Sequence, residues 1–432
     1  SMQVTVERKP QSVAAITVEL GADEFERYYD EATAQLAKGL TEDGFRPGKV
    51  PAALAASRVG ERRILEAASR LALEHTYPGV VEDEGLEPIG APRADVLKVA
   101  RRNPFVYRVE VPVVPEVVLP DWRTVAAGVA GVAGVARQTP SVSDGEVAEA
   151  LARLQRSRAT LTPVDRPARE GDRLEVDFTA TSEGVLIEGG ESKNHPVVLG
   201  ERRFVPGFEE ALVGLKQGEQ KTFSISVPAD FSHKAIAGKD VEFAVTVRRL
   251  DERAVPELTD EFARHLGAFA DLAALRESVR EGIQVEQDEA ARNRRREQAL
   301  AAIAAQSRVE VPDRLVDGEV ERMVHDFGHT LEHAGTTLED YLAHLGKTDA
   351  AFREGLRPAA AARAKHALII RAIAKAEGIA VSDAEVADRS RRILAQFHSV
   401  KEAESSVDPG DLAAYTRGVL RTEKVLALLD AA

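Results

Sequence analysis

Apolar and polar positions follow different patterns in successive segments of this 432-residue chain. In residues 1–115, the stretches 13–20 and 105–113 alternate with the period of two that is typical of strands. Between them, apolar residues recur every three or four positions over 25–40 and 64–81, which predicts helices. This first segment is therefore predicted to be a compact α+β domain.

Residues 116–159 are predicted to be a connector made of a strand and a helix. The stretch 125–135 reads VAAGVAGVAGV, which we interpret as a strand broken by glycines. We expect it to be a linker, and the alternative is an exposed strand that contacts a substrate. A helix is predicted over 143–158, with Ser143 as its cap and Glu146 at the third position.

Residues 160–250 change to short strands and tight turns. The stretches 174–180, 221–227 and 241–247 alternate with period two. The sequence Pro-Gly-Phe-Glu at 206–209 predicts a turn into a short helix. A twisted antiparallel sheet over one short helix would leave an apolar cup between them.

Residues 251–432 are predicted to be almost wholly helical. The candidate helices cover 271–306, 313–333, 338–345, 349–377, 382–397 and 411–429. Alanine-rich stretches such as 358–364 leave weakly apolar faces, so we expect a helical body with arms rather than one close-packed bundle.

Two further helix starts carry the pattern of a capping box, in which a short polar residue precedes a glutamate by three positions. Asp23 with Glu26 predicts such a start for the first helix, and Ser382 with Glu385 predicts one near the end of the chain. Both helices should therefore begin at well-defined positions.

The composition excludes several classes of protein. The chain has no cysteine, which excludes disulfides and cysteine-based metal or redox chemistry and is typical of a reducing cytosol. It contains no apolar run of the roughly 18–20 residues that span a membrane and no secretory signal pattern. Nucleotide-binding glycine loops and a nucleophile elbow are also missing. We therefore expect a soluble, cytoplasmic protein that acts without ATP, metal or cofactor and without a membrane.

A basic loop interrupts the first domain. Residues 44–51 read GFRPGKVP, and these glycines and prolines force a turn. The cations between residues 44 and 65 are Arg46, Lys49, Arg58, Arg62 and Arg63, and the anion is Glu61. The local net charge is +4 within a chain of net charge −14. The loop either displays Phe45 for binding to phosphates or an acidic protein surface, or is a plain turn with Phe45 in a core.

This loop resembles the ribosome-docking signature of the trigger factor family, Gly-Phe-Arg-x-Gly-Lys-x-Pro. The docking residues that the resemblance implies are Gly44, Phe45, Arg46, Gly48 and Lys49. Residues 1–115 would then bind the large ribosomal subunit near the exit tunnel. Phe45 would be an aromatic anchor, while Arg46 and Lys49 would contact RNA phosphates and acidic side chains. Pro47 stands where the family commonly has a cation, which should reduce salt sensitivity.

Residues 160–250 resemble the FKBP-type peptidyl-prolyl isomerase domain that trigger factors carry at this point. The segments VDF, IEGG, VPGFEEAL, GLKQGE and FAVTV match in order and spacing. The residues aligned with the family's pocket are Phe178, Ile187, Glu188, His195, Phe204, Val205, Phe208, Phe231 and Phe243. The alternative is that they are core residues of a small sheet. We favour a core position for Phe243 and exposure in the cup for Phe204 and Phe208.

Four pocket positions depart from the family. Active members often carry tyrosine in place of Phe178 and Phe231, and an aromatic residue in place of Ile187 and His195. These differences remove two hydroxyls and two aromatic faces but leave the apolar cup. The resemblance therefore implies noncovalent prolyl isomerisation of reduced strength.

Two clusters in the helical segment are open to more than one interpretation. His325, His329 and His333 lie at i, i+4 and i+8 on one helix, a spacing that allows zinc or nickel chelation, although a polar helix face is the simpler interpretation. The basic run at 292–296 lies among acidic residues, which favours a salt-bridged, solvated helix face over a nucleic-acid patch.

Together these features predict a multidomain α+β protein. Its predicted segments are a ribosome-binding domain at 1–115, a linker strand and helix at 116–159, an FKBP-type domain at 160–250 and a helical substrate-binding domain at 251–432. The resemblance implies an ATP-independent ribosome-associated chaperone that holds nascent and unfolded polypeptides, and it allows a homodimer off the ribosome. One alternative is a free-standing cytosolic prolyl isomerase with a helical dimerisation or adapter module. Another is a periplasmic holding chaperone, which the missing signal pattern disfavours.

Overall fold

The computed structural model describes residues 2–46, 48–132, 140–396 and 408–432. Within them, the predicted multidomain α+β class is confirmed, and the strands are paired in antiparallel sheets. The chain divides into two compact units, Ser1–Arg137 with Arg292–Ala432, and Gln138–Ala291. In the described part of the chain, no helix is both long and apolar enough to cross a membrane.

The N-terminal part of the first unit is a four-stranded sheet covered by helices. The strands are β1 (Gln3–Lys9), β2 (Val13–Leu20), β3 (Arg93–Lys98) and β4 (Phe105–Pro112), in the order β1-β2-β4-β3. The helices are α1 (Ala22–Ala37), α2 (Ala52–Val59) and α3 (Glu61–Asp83). Alternate residues of β4 are buried, and Phe105 stacks on Phe25 of α1 with ring centroids 4.6 Å apart. The alternation is clear because the helices cover one face of the sheet.

The two predicted capping boxes have different outcomes. Helix α1 begins at Ala22, so Asp23 lies within the first turn and cannot cap it. That prediction is wrong, although an acidic residue in a first turn is still favourable for the helix dipole. The box at Ser382 with Glu385 is present as predicted.

Residues 122–132 form a helix, α4 (Trp122–Val132), where the sequence predicted a strand. The prediction is wrong for this part of the stretch, and residues 133–139 lie outside the described ranges. Trp122 and Ala126 are one helical turn apart, and both are buried against C-terminal helices. The alanines favour a helix, and packing of this face outweighs the cost of the glycines between them.

The second unit combines a five-stranded sheet with helices. Its strands are β5 (Thr160–Pro163), β6 (Arg173–Ser182), β7 (Val185–Val198), β8 (Gln220–Ser226) and β9 (Asp240–Ala254), in the order β5-β9-β6-β7, with β8 also paired to β9. Its helices are α5 (Asp144–Ser157), α6 (Phe208–Leu212) and α7 (Asp260–Leu266). Phe208 and Leu212 of α6 are fully buried in the core formed with the sheet. The predicted sheet over one short helix is therefore confirmed.

The C-terminal helices are long and have alanine-rich contacts, as predicted. They are α8 (Leu272–Gln306), α9 (Asp313–His333), α10 (Leu338–Leu345), α11 (Asp349–Ala376), α12 (Asp383–Leu394) and α13 (Pro409–Ala431). One core joins Trp122 to Ile303, Ile369 and Val425, and a second joins α9 to α11 around Ala360.

The compact units cut across the linear segments of the sequence. The start of α8 packs with α5 and α7 of the second unit through Leu275, Leu151 and Phe262. The α4 helix, in contrast, belongs to the first unit. Residues 116–159 and 251–432 therefore each contribute to both units.

Candidate functional site

The loop at residues 44–50 connects α1 to α2 and displays an aromatic side chain. Gly44 and Gly48 have φ angles of +91° and +80°, in the left-handed region that glycine adopts without strain. The Phe45 side chain is exposed, with 42% of its surface accessible. The interpretation that Phe45 lies in a core is therefore wrong. Pro47 lies outside the described residues.

The base of the loop is fixed by packing and by backbone hydrogen bonds. Val50 is buried together with Ala37 and Ala55. The Phe45 N–H donates to the Glu42 carbonyl at 3.1 Å, and the Lys49 N–H donates to the Arg46 carbonyl at 2.9 Å. The loop thus has an anchored base and an exposed tip.

Ion pairs neutralise two of the five cations in and near this loop. Arg58 pairs with Glu42 at 2.7 Å, and Arg62 pairs with Glu66 at 3.1 Å. Arg46 and Lys49 are exposed, and no ion pair joins either of them to a described residue. Arg58 and Arg62 on the helices are thus paired, whereas Arg46 and Lys49 beside Phe45, like Arg63 on α3, form no ion pair with a described residue.

The second candidate site is an aromatic cluster between α6 and the sheet of the second unit. Phe178, Phe208 and Phe243 form its buried floor, with Phe208 in edge contact with Phe243 at a centroid distance of 5.1 Å. Phe204 lies on the floor, 4.3 Å from Phe208, and His195 contacts both Phe204 and Phe178 at 5.5 and 5.4 Å. Phe204 and His195 form the rim of the cluster. Both side chains are half-buried, so a ligand can reach them from solvent.

The structure brings together eight of the nine predicted pocket residues. Val205 is buried in the same cluster, and Ile187 and Phe231 are half-buried against it. Glu188 is exposed and is not part of the cluster. The expectation that Phe208 is exposed in the cup is wrong. Its side chain has 0% exposure and therefore supports the cup from below.

The Gly-Gly pair beside Ile187 continues strand β7 instead of ending it. Gly189 has a φ of +72°. A Cβ on Gly190 would lie 2.8 Å from the Ile187 carbonyl oxygen and 2.9 Å from that of Ala180. Only glycine fits this close backbone approach, and the register with β6 shifts nearby.

Glu209 is a buried carboxylate that the sequence analysis missed. Its oxygens accept hydrogen bonds from the backbone N–H groups of Gly200, Arg202 and Arg203, at 2.9, 2.9 and 3.0 Å. These bonds fix the loop that leads directly into Phe204. The signal was present in the sequence as an acidic residue at the start of a short helix, but its partners could not be inferred without the fold.

A second missed residue is Phe223, which is stacked on Phe243 with centroids 5.7 Å apart. It occupies an inward position of the alternating stretch that predicted β8, and this alternation was the signal for it. Phe223 extends the aromatic floor away from His195.

A carboxylate holds the strand that carries His195. Asp177 accepts the Asn194 N–H at 2.8 Å and pairs with Arg248 at 2.6 Å. The hydrogen bond from Asn194, and next the one from Arg248, lower the pKa of Asp177 below its usual value. Asp177 is therefore charged at neutral pH and stabilises the irregular backbone of β7 at Asn194, which has a φ of +51°.

The polar clusters of the C-terminal helices have separate outcomes. His325 and His329 contact each other, whereas within the described residues no group of three potential ligands could hold a metal ion. Arg296 of the basic run forms a bidentate pair at 2.9 and 2.6 Å with Asp430 of α13, so this cation is salt-bridged, but to another helix and not to the neighbouring acids of its own.

Three family models match the chain. The model described as bacterial trigger factor protein matches residues 2–154, and the one for the trigger factor C-terminus matches 271–430. Between them, the model of the FKBP-type peptidyl-prolyl cis-trans isomerase matches residues 164–248, which contain the aromatic cluster.

Curated relatives match over nearly the full length. Trigger factor of Caldicellulosiruptor bescii is 30% identical over 425 residues, which cover 98% of this chain and 95% of the relative. Trigger factor of Agathobacter rectalis is 32% identical, covering 89% and 85%. Trigger factor of Bacillus subtilis is 30% identical, covering 94% and 96%.

Proposed function

Because the chain belongs to the trigger factor family of ribosome-associated chaperones, we propose that the loop at residues 44–49 is its docking element. The observation that carries this proposal is the exposure of Phe45 on a loop whose two glycines have positive φ. An exposed aromatic ring is unfavourable in water, so its burial in a partner surface is a source of affinity.

The cations beside Phe45 define the chemistry of the partner. Arg46 and Lys49 form no ion pair with a described residue and can pair with rRNA phosphates or acidic side chains near the exit tunnel. Phosphate contacts release counterions, so binding should weaken as salt increases. With two cations, ribosome affinity should depend only weakly on salt concentration. The aromatic anchor should carry most of the salt-independent affinity.

Co-sedimentation with vacant ribosomes tests the docking loop. The double variant Phe45→Ala, Arg46→Ala should lose most of its binding, because loss of such an anchor costs about 2 kcal/mol or more, which is roughly 30-fold in Kd. The matched control is Val96→Ala, Arg93→Ala, which removes one exposed apolar residue and one exposed cation from β3 of the same domain. Unchanged ribosome binding by the loop variant, or equal loss in the control, would exclude this loop as the docking element.

The FKBP-type domain makes the protein a peptidyl-prolyl isomerase, and we propose the aromatic cluster as its pocket. Rotation about a prolyl bond faces a barrier of roughly 18–20 kcal/mol because amide resonance is lost. The twisted amide is less dipolar than the planar one, so an apolar surface favours it over the ground state. Phe204, His195 and Phe231 provide such a surface above the buried floor. Glu188 lies outside the cluster, and we assign it at most an orienting role at the edge.

We propose that unfolded and nascent chains bind at dispersed apolar side chains. In the described C-terminal helices, Val285, Leu345 and Tyr415 are exposed on three different elements. Weak contacts at several points allow binding of many sequences and release without ATP. We also propose that the protein is cytoplasmic and that the chain self-associates when it is free of the ribosome. Sedimentation velocity of the purified chain tests the self-association.

The alternative of a free-standing isomerase is not favoured. It would explain the match at 164–248 but not the trigger factor matches on both sides of it, at 2–154 and 271–430.

A further inference from the structure

Two histidines on α9 direct the same ring nitrogen at each other. The Nε2 atoms of His325 and His329 are 3.2 Å apart, and the rings are perpendicular with centroids 4.5 Å apart. Both side chains are on the exposed face of the helix. A hydrogen bond accounts for this distance only if one of the two Nε2 atoms carries a proton.

The same distance fits two ligands of one metal ion. Zinc–imidazole bonds are about 2.0–2.1 Å long, so two nitrogens of a tetrahedral site are separated by about 3.4 Å, and two adjacent ones of an octahedral site by about 2.9 Å. The observed separation lies between these values. A cation could therefore replace the shared proton with little movement of either ring.

A carboxylate stands behind one of the imidazoles. The Glu332 Oε2 atom is 3.4 Å from the Nδ1 atom of His329. A carboxylate at this nitrogen favours the tautomer with the proton on Nδ1, which leaves the Nε2 lone pair free. The same order of groups occurs in the carboxylate–histidine–metal arrangement that orients ligands in metal sites, although here the two atoms are at ion-pair distance and do not form a hydrogen bond.

The helix that holds the pair is fixed from its other side. Val316, Val320 and Val324 of α9 are buried against α11 around Ala360. Phe327, between the two histidines in sequence, contacts Tyr341 and Phe352 with centroids 5.2 and 5.7 Å away. The backbone positions of both ligands are thus set before a cation binds.

We propose that His325 and His329 form a two-imidazole site for a borderline divalent cation such as Ni²⁺ or Zn²⁺, with Glu332 as its outer carboxylate. Among the described residues, no third side chain completes the site. Water fills the other positions, so the bound ion is exchangeable and accessible to an external ligand.

Calorimetric titration of the full, untagged chain with NiCl₂ tests the site. We expect one ion per chain, with at least 10-fold weaker binding in His325→Ala and in His329→Ala, since each leaves a single imidazole. Glu332→Gln should weaken binding by about 10-fold, in the range known for outer carboxylates. Far-UV circular dichroism of each variant checks that it remains helical.

Two other histidines serve as matched controls. His333→Ala and His344→Ala remove exposed imidazoles from α9 and α10 and should leave the Ni²⁺ affinity within about twofold of wild type. Equal loss in either control would show that Ni²⁺ binds scattered surface histidines. Unchanged affinity in His325→Ala or His329→Ala would exclude the paired site.

Discussion

Two phenylalanines that directly follow a glycine have opposite environments. Phe45 is 42% exposed, whereas Phe208 has no exposed surface. The difference is made by residues distant in sequence, because Phe178 and Phe243 enclose Phe208 from β6 and β9. Phe208 is therefore a poor residue to mutate in a test of isomerase activity. Phe208→Ala would create a core cavity costing roughly 3–5 kcal/mol, so lost turnover could reflect lost folding.

The half-buried Phe204 is the better probe of isomerisation. Phe204→Ala should lower kcat/KM for a prolyl peptide by about 10-fold or more, as expected for loss of one large apolar contact with the transition state. A protease-coupled or magnetisation-exchange assay measures this. The control Leu215→Ala truncates another half-buried side chain of the same core outside the predicted pocket. Full activity of Phe204→Ala, or the same loss in Leu215→Ala, would place the pocket elsewhere.

At the scale of elements, the start of α12 combines a helix cap with an ion pair. The Ser382 N–H donates to Glu385 at 2.8 Å, and Lys424 of α13 pairs with the same carboxylate at 2.8 Å. The bond from Lys424, and next those from Ser382, lower the pKa of Glu385 from 4.5 to about 2. The cap was readable from local sequence, but the lysine lies 39 residues away and became a partner only through helix packing.

This depressed pKa predicts a pH-dependent stability. The ionised form is favoured in the folded state, so its contribution is present above pH 4.5 and is lost as the pH falls towards about 2. Glu385→Gln keeps the cap geometry but removes the charge. Its thermal midpoint should be lower than that of wild type at pH 7, and the gap should shrink below pH 4.5.

Circular dichroism melts between pH 7 and pH 3 measure this gap. Glu146→Gln is the matched control, because Glu146 forms the same box with Ser143 but contacts the neutral Gln287. At pH 7, Glu146→Gln should lower the thermal midpoint by less than Glu385→Gln does. A gap for Glu385→Gln that does not change with pH would show that the charge is not responsible.

At the scale of the whole molecule, the core of the C-terminal helices includes a residue from the N-terminal third of the chain. Trp122 of α4 is 5% exposed among Ile303, Ile369 and Ile373. Since it is the single tryptophan of the sequence, its fluorescence reports on this core. A multidomain chain is not expected to unfold in one two-state step, so a probe of one core is informative.

Truncation of a side chain in that core should lower the urea concentration at which the Trp122 fluorescence changes. Ile373→Ala removes a fully buried side chain and should cost about 2–5 kcal/mol, which lowers the urea midpoint of the emission red shift. The control Leu174→Ala creates a comparable cavity in the sheet of the second unit and should leave that midpoint unchanged. Equal shifts in the two variants would show that the two cores unfold together.

Client binding is also a property of the whole molecule. The purified chain should suppress aggregation of a refolding client without ATP, measured by light scattering. Leu345→Ser with Tyr415→Ser, two exposed sites on α10 and α13, should require about twice the concentration for the same effect, since each apolar contact adds a small share of the affinity. Val213→Ser, exposed on the FKBP-type domain, is the control. No suppression by wild type at several-fold excess would contradict the chaperone proposal.

The sequence by itself determined the features that depend on near neighbours. The periods of two and 3.6 located strands such as 13–20 and helices such as 313–333, and the cap at Ser382 was readable within four residues. The glycines of the basic loop and the resemblance to the two families could likewise be recognised from the order of residues alone.

Only the tertiary structure decided the features that depend on distant partners. It exposed Phe45, buried Phe208 and brought three backbone N–H groups to Glu209. It also folded residues 122–132 as a helix, because the buried face of Trp122 finds its apolar partners more than 170 residues further along the chain. Local periodicity carries no information on these partners, since burial and hydrogen bonding are set by whichever segments the fold places in contact.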